Sequence, residues 1–205
     1  MNASHNTFIL DVDALLSQQL ADVSQWHATP HAPSEPGDLT HRTVLLNHFN
    51  FALWHQEDLA RDPHATDSLI ATVKRAIDKL NQQRNDMIEK VDEALIIHFS
   101  KVKPQPSARL NSETPGSMVD RLSINALKIY HMEEETNRET ASPEHRAKCA
   151  ERLSILRAQR SDLGNCLKEI LNDLQQGTKF MKVYRQMKMY NDPTLNPVLY
   201  RQSTK

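Results

Sequence analysis

Residues 73–95, VKRAIDKLNQQRNDMIEKVDEAL, decide the fold. Val73, Ile77, Leu80, Arg84, Met87, Val91 and Leu95 recur at steps of three and four, the spacing that lays side chains along one stripe of an α-helix. Residues 149–171, CAERLSILRAQRSDLGNCLKEIL, carry the same pattern in Cys149, Leu153, Leu156, Arg160, Leu163, Leu167 and Leu171. The two stripes pair in order without a gap, and QQRND at 82–86 falls on AQRSD at 158–162. Each long helix follows a shorter amphipathic one across a brief turn. The expected fold is therefore all-α, a four-helix bundle built from two helical hairpins. Duplication of one hairpin and two amphipathic helices of independent origin both account for the alignment.

Outward from these helices, punctuation sets the boundaries. Residues 9 to 27 form a modest amphipathic helix, and ATPHAPSEPGD, with three prolines and a glycine, follows as an irregular linker. A second helix runs from about Leu39 to Arg61 and stops before Pro63. Thr66 or Asp67 caps the next, which continues to about Phe99 without Gly or Pro. KVKPQPSARLNSETPG is a second linker, and Pro115 opens a helix covering about Ser117 to Arg138. Ser142 and Pro143 start the last long helix, which ends near Gly177. A short basic helix from Lys179 to Met189 and an extended tail, YNDPTLNPVLY, complete the chain. The organisation is an N-terminal helix with a Pro-rich linker over residues 1–38, then a helical bundle domain with a C-terminal tail over 39–205.

Composition narrows the function classes. The 205 residues are 39% hydrophobic and only 5% aromatic, with four glycines, which disfavours a sandwich of many strands and a glycine-rich nucleotide fold. With 25 Lys/Arg against 26 Asp/Glu, the chain is not globally basic. Cys149 and Cys166 belong to no Cys-x-x-Cys pair, so neither a disulfide scaffold nor a zinc knuckle is expected. No apolar run is long enough to span a membrane, and the opening residues do not resemble a secretory signal. The expected location is the cytoplasm, with reduced thiols. From Lys179 to Lys205 six Lys/Arg stand against one Asp, interleaved with Tyr184, Tyr190 and Tyr200. Such a tail either clamps the bundle or contacts an acidic surface; without a recognised module it does not predict nucleic-acid binding.

Arg84 and Arg160 interrupt apolar stripes, where a guanidinium must find carboxylates, an anionic ligand or a route to water. They form either an internal ion-pair network or a charged pocket between the hairpins, suited to bidentate contact with phosphate or carboxylate. Asp58, Glu57 and Asp120 supply candidate partners, and Trp54 a flat apolar wall. Glu89 and Asp92, spaced Glu-x-x-Asp, with Glu57 and Asp58 on the preceding helix, outline a magnesium site of the helical pyrophosphohydrolase type. Arg61 stands where that motif needs a further acid. No other cofactor is expected. His48 and His55 lie two turns apart, too far to share one ion on their own helix, and His98 and His131 read as helix-end or surface residues. No serine nucleophile elbow, catalytic cysteine pair or phosphate loop is present, so residue types alone assign no catalyst.

Four ordered blocks, LNHFNFALWHQEDLARD, KRAIDKLNQQRNDMIEKVDE, ETPGSMVDRLSINALKIYHMEEE and KVYRQMKMYNDPTLNP, resemble the bacterial domain of unknown function DUF4254 from about Leu39 to Tyr200. The resemblance implies a helical protein encoded beside glycosyltransferases and cell-surface polysaccharide genes. An accessory role in lipopolysaccharide or capsule assembly follows from that association. Family-like polar positions are Asn47, Trp54, His55, Glu57, Asp58, Arg61, Asn81, Arg84, Asn85, Asp86, Asp92, Asp120, Arg121, Lys128, Arg160, Tyr184 and Tyr190. The residue reading and the resemblance meet in Trp54, Asp58, Arg84, Asp120 and Arg160. Together they outline a pocket for an anionic sugar nucleotide, a sugar phosphate or a protein carboxylate. The rival expectations are the magnesium-dependent hydrolase and a structural module that dimerises or binds a partner through its outer faces.

Overall fold

The computed structural model describes residues 10–29, 37–189 and 192–201. Within them the chain is all-α, with six helices: α1 (Val12–Ala28), α2 (Leu39–Ala60), α3 (Asp67–His98), α4 (Pro115–Asn137), α5 (Pro143–Gln176) and α6 (Pro197–Tyr200). The first five open alike. Asp11, Asp38, Thr66, Thr114 and Ser142 each accept, through a side-chain oxygen, the amide hydrogen of the residue three positions on. This satisfies one of the amides that a helix start leaves without an intrahelical partner. Helix α5 ends at Gly177, whose φ of 68° is left-handed and where a Cβ would lie 2.7 Å from the Lys103 carbonyl oxygen, so only glycine fits.

The helices pack largely as pairs, α2 against α3 and α4 against α5. One offset of 76 residues carries Leu39 to Pro115 and Asp67 to Pro143, the first residues of the helices concerned. The pairs do not meet symmetrically. Helix α4 packs directly on α3, whereas α1 packs against α2, α4 and α5 and takes the place a symmetric α2–α5 contact would occupy. Its buried face combines apolar Val12, Leu15, Val23 and Trp26 with polar Gln19 and Asp22. Val12 and Leu15 join the same core cluster as Leu46, Val91, Leu95, Leu122, Leu167 and Leu171 from α2 to α5. The segment set apart in sequence by its Pro-rich linker thus contributes to the common core; linker residues 30–36 lie outside the described residues.

The region after α5 departs from expectation. Lys179–Met189 is not a helix. Lys179 and Phe180 form β2, a parallel two-residue ladder with β1 (Arg109–Leu110), and residues 181–188 run irregularly. The left-handed turn at Gly177 sends the chain back across the 101–110 loop, where the Gln105 amide donates to the Gly177 carbonyl at 2.8 Å. Farther along, Arg185 bridges Glu89 (3.0 Å) and Glu93 (2.7 Å) on α3. An arginine therefore fastens the tail, while Tyr184 is 50% exposed. Tyr190 lies outside the described residues. None of the described helices is long and apolar enough to cross a membrane.

Candidate functional site

The two interior arginines have separate fates. Arg160 is 6% exposed and spends its guanidinium on oxygen acceptors from α1 and α4: the Leu122 carbonyl (2.8 Å), the Leu16 carbonyl (2.6 Å) and Gln19 Oε1 (3.1 Å). No carboxylate is among these partners, and burial pulls its pKa down to about 10. Helix α1 seals it. Arg84 instead borders an open groove of about 410 Å³ between α2, α3 and α4, walled by Asn50, Leu53, Trp54, Asn81 and Ile124. Its side chain is 27% exposed, and its Nε has no hydrogen-bond partner and lies 3.7 Å from Asp120 Oδ1. The expectation that both arginines share one pocket is corrected: α1 lies over one and not over the other.

Asp120 is positioned by Asn50, whose Nδ2 donates to Asp120 Oδ1 (2.8 Å) and to Ser123 Oγ (2.6 Å). Burial raises the Asp120 pKa, opposed by the Asn50 hydrogen bond and the Arg84 charge. Glu57, Asp58 and Arg61 line the end of the same groove. There Arg61 donates to Glu57 (2.6 Å), and Asp58 lies 3.8 Å from His55 Nδ1. Of the secondary candidates, Asn47 faces α1 and donates to the Gln19 carbonyl (3.2 Å), Asn85 is buried, and Lys128 is exposed beside a second, apolar groove under Trp54.

The four acids of the magnesium outline do not converge. Asp92 is buried and accepts the Gly116 amide at the start of α4 (2.7 Å); burial pushes its pKa up to about 6. Glu89 is taken by Arg185 and the Gln186 amide (3.0 Å each), and Glu57 by Arg61.

Two other clusters bring metal-binding atoms together among the described residues. Glu135, His145 and Cys149 satisfy one another: Glu135 Oε2 accepts from His145 Nε2 (2.8 Å) and Arg138 Nη2 (2.8 Å), and Cys149 Sγ lies 3.4 Å from His145 Nε2. His27, His55 and His131 differ. They come from α1, α2 and α4, and one ring nitrogen of each lies within 4.8 Å of the other two. His27 stacks on Tyr130 (4.0 Å, 15°), His131 stacks on Trp54 (4.8 Å, 9°), and Phe51 edges against His55 (4.5 Å). Burial first, then the neighbouring His27 and His131, lowers the His55 pKa and favours the neutral ring. His131, expected near the surface or a helix end, is thus half-buried at the centre of this cluster. The sequence does contain its signal. Trp54-His55-Gln56-Glu57-Asp58 and Tyr130-His131-Met132-Glu133-Glu134 fall on each other at the 76-residue offset. In both segments the histidine faces the acid three residues on, Asp58 or Glu134.

No curated protein and no solved structure matches the chain. The family model described as a protein of unknown function, DUF4254, matches residues 40–183, which takes in α2 to α5, both walls of the groove and two of the three clustered histidines. The chain belongs to the DUF4254 family.

Proposed function

We propose that the groove between α2, α3 and α4 binds a small anionic molecule rich in hydroxyls, of the sugar phosphate or sugar nucleotide class, and that the chain serves cell-surface polysaccharide assembly beside a glycosyltransferase. The observation that carries this reading is Arg84: a partly exposed side chain whose buried Nε has no hydrogen-bond partner, on the wall of a cavity of about 410 Å³. Arg84 supplies the charge-assisted contact to the anion. Asp120, already oriented by Asn50, and Asp58 accept hydroxyl hydrogens, and Trp54 gives the sugar ring a flat apolar face.

We read the two helix pairs as copies of one hairpin, giving a four-helix bundle whose second pair has been modified by α1. The constant offset between helix starts supports this. In that frame the open groove is the counterpart of the surface that α1 covers in the second pair, which accounts for its shape. Its lining sets Asn50, Asp58, Asn81 and Arg84 beside Leu53, Trp54 and Ile124, a mixture that suits a small ligand with polar groups and a flat apolar face better than the apolar face of another helix.

The test is calorimetric titration with a panel of sugar nucleotides, sugar phosphates and inorganic phosphate. Wild type binds at least one member, and Arg84→Met, folded by circular dichroism, loses that binding at least tenfold. Absence of binding across the panel overturns the reading.

A further inference from the structure

We propose that His27, His55 and His131 form a site for one divalent transition ion of the zinc class, held by three imidazole nitrogens with the fourth position open. The site does not rest on the groove reading, although Trp54 lines the groove and also stacks on His131.

The hydrogen bonds fix the tautomers. His27 Nδ1 lies 2.7 Å from the Val23 carbonyl oxygen, which can only accept, so Nδ1 carries the hydrogen and the neutral ring presents a bare lone pair at Nε2. His131 Nδ1 lies 2.8 Å from the Glu134 carboxylate, with the same consequence. Both Nε2 atoms are buried and have no hydrogen-bond partner among the described residues. Two buried acceptors on rings whose centroids stand 5.1 Å apart cannot satisfy each other, and an electrophile bound to both satisfies them together. A carboxylate or carbonyl behind each imidazole, fixing its orientation and raising its basicity, is the arrangement metal-binding histidines adopt.

The spacing agrees. Ring centroids stand 5.0 Å (His27–His55), 5.1 Å (His27–His131) and 6.0 Å (His55–His131) apart. A tetrahedral ion with metal–nitrogen bonds of about 2.0–2.1 Å sets imidazole centroids roughly 5 Å apart and the bonded nitrogens roughly 3.3 Å apart. Small side-chain rotations on three separate helices close the present nitrogen separation of at most 4.8 Å. The ring planes cross at 71° to 77°, and stacking on Tyr130 and Trp54 fixes two of them in advance. An all-imidazole set selects zinc, cobalt, nickel or copper over magnesium and calcium, which require oxygen ligands. Three protein ligands leave a fourth position for water or an anion, as at metal ions that act as Lewis acids. Two ligands come from equivalent positions of the two helix pairs and the third from α1, so the site exists only when α1 is docked.

The experiment uses the untagged full chain, stripped with chelator and titrated with Co²⁺ alone, reading the visible bands of tetrahedral cobalt and then displacing the ion with Zn²⁺ or Mg²⁺. Wild type takes up one Co²⁺ per chain; Zn²⁺ abolishes the bands and Mg²⁺ does not. His27→Gln, His55→Gln and His131→Gln each weaken binding at least 100-fold. Glu134→Gln, an exposed position that cannot unfold the core, weakens it roughly 10- to 100-fold. His145→Gln, in the cluster at the start of α5, leaves it unchanged. No tetrahedral bands and no retained zinc in wild type overturn the proposal. So does binding that survives the Glu134 variant and all folded histidine variants, or that disappears with His145→Gln. Because the probe is the ion alone, failure here leaves the groove titration untouched, and failure of the sugar panel leaves the cobalt spectrum untouched.

Discussion

The two helix pairs present the same positions to different neighbours. At the 76-residue offset Arg84 corresponds to Arg160 and Asp92 to Lys168. On α3 these positions face α4: Arg84 approaches Asp120, and Asp92 accepts the Gly116 amide. On α5 they face α1: Arg160 is covered by the Leu16 carbonyl and Gln19, and Lys168 donates to Asp13 (2.6 Å). A helix laid over one pair can therefore seal an arginine that stays accessible at the corresponding position of the other pair.

The largest effect expected from this difference is on stability. Arg160→Ala loses three charge-assisted hydrogen bonds and opens a cavity where α1 meets α4, costing about 3–5 kcal/mol in urea unfolding. Arg84→Ala costs about 1 kcal/mol, because Arg84 is partly solvated, its ion pair is long, and Asp120 keeps the Asn50 hydrogen bond. Equal losses in the two variants would break the comparison, since both arginines would then be structural.

Next in size is a pH effect confined to the first pair. The Asp92 carboxyl, pushed from 3.8 up to about 6 by burial, binds its proton more tightly in the folded chain than in the unfolded one. Its contribution to stability is complete below about pH 3.8 and is lost as pH rises through 6, about 3 kcal/mol for a shift of roughly two units. Asp92→Asn keeps an oxygen for the Gly116 amide and cannot ionise. Relative to wild type, the variant therefore gains about 3 kcal/mol between pH 4 and pH 7 in urea titrations. The equivalent variant on α5, Lys168→Met, changes stability by about 0.5 kcal/mol or less, as its partner Asp13 is well exposed. Parallel stability curves for wild type and Asp92→Asn would show that this carboxyl is already ionised in the folded chain at low pH.

Local chemistry was legible in the sequence wherever a side chain acts on its own helix. The caps Thr66 and Ser142, Pro115 in a first turn and the stop at Gly177 all appear where spacing and residue type placed them. What the chain does across long separations was not. KFMKVYRQMKM has helical character, but a ladder to Arg109–Leu110 and the Arg185 bridge to α3 hold residues 179–188 out of a helix. Sealing Arg160 requires Leu16 and Gln19, more than 140 residues away, and nothing in either segment alone announces that contact. The histidines fall between these cases. His55 and His131 are paired by the 76-residue offset, but His27 joins them only because α1 docks where a symmetric bundle would have placed α2 against α5.

The smallest contrast concerns how each pair accepts its neighbour. A Cβ on Gly116 would lie 2.7 Å from the Ile88 carbonyl oxygen and 2.7 Å from Asp92 Oδ1. The carbonyl belongs to the α3 backbone and cannot rotate away, so Gly116→Ala forces α4 off α3 and costs about 1–3 kcal/mol. On α5, Gly164 occupies the position equivalent to Ile88, and a Cβ there would meet only the Leu16 Cδ1 methyl at 2.8 Å. That methyl ends a rotatable side chain, and alanine in a helix interior gains up to about 1 kcal/mol over glycine, so Gly164→Ala ends within about 1 kcal/mol of wild type. Thermal unfolding of the two variants measures whether α4 is locked to α3 by backbone contact while α1 rests on α5 through adjustable side chains. A Gly164→Ala loss as large as that of Gly116→Ala would mean that α1 is held as rigidly as α4 is held on α3. The asymmetry between the pairs would then lie only in the polar groups α1 covers, and no longer in how firmly it is attached.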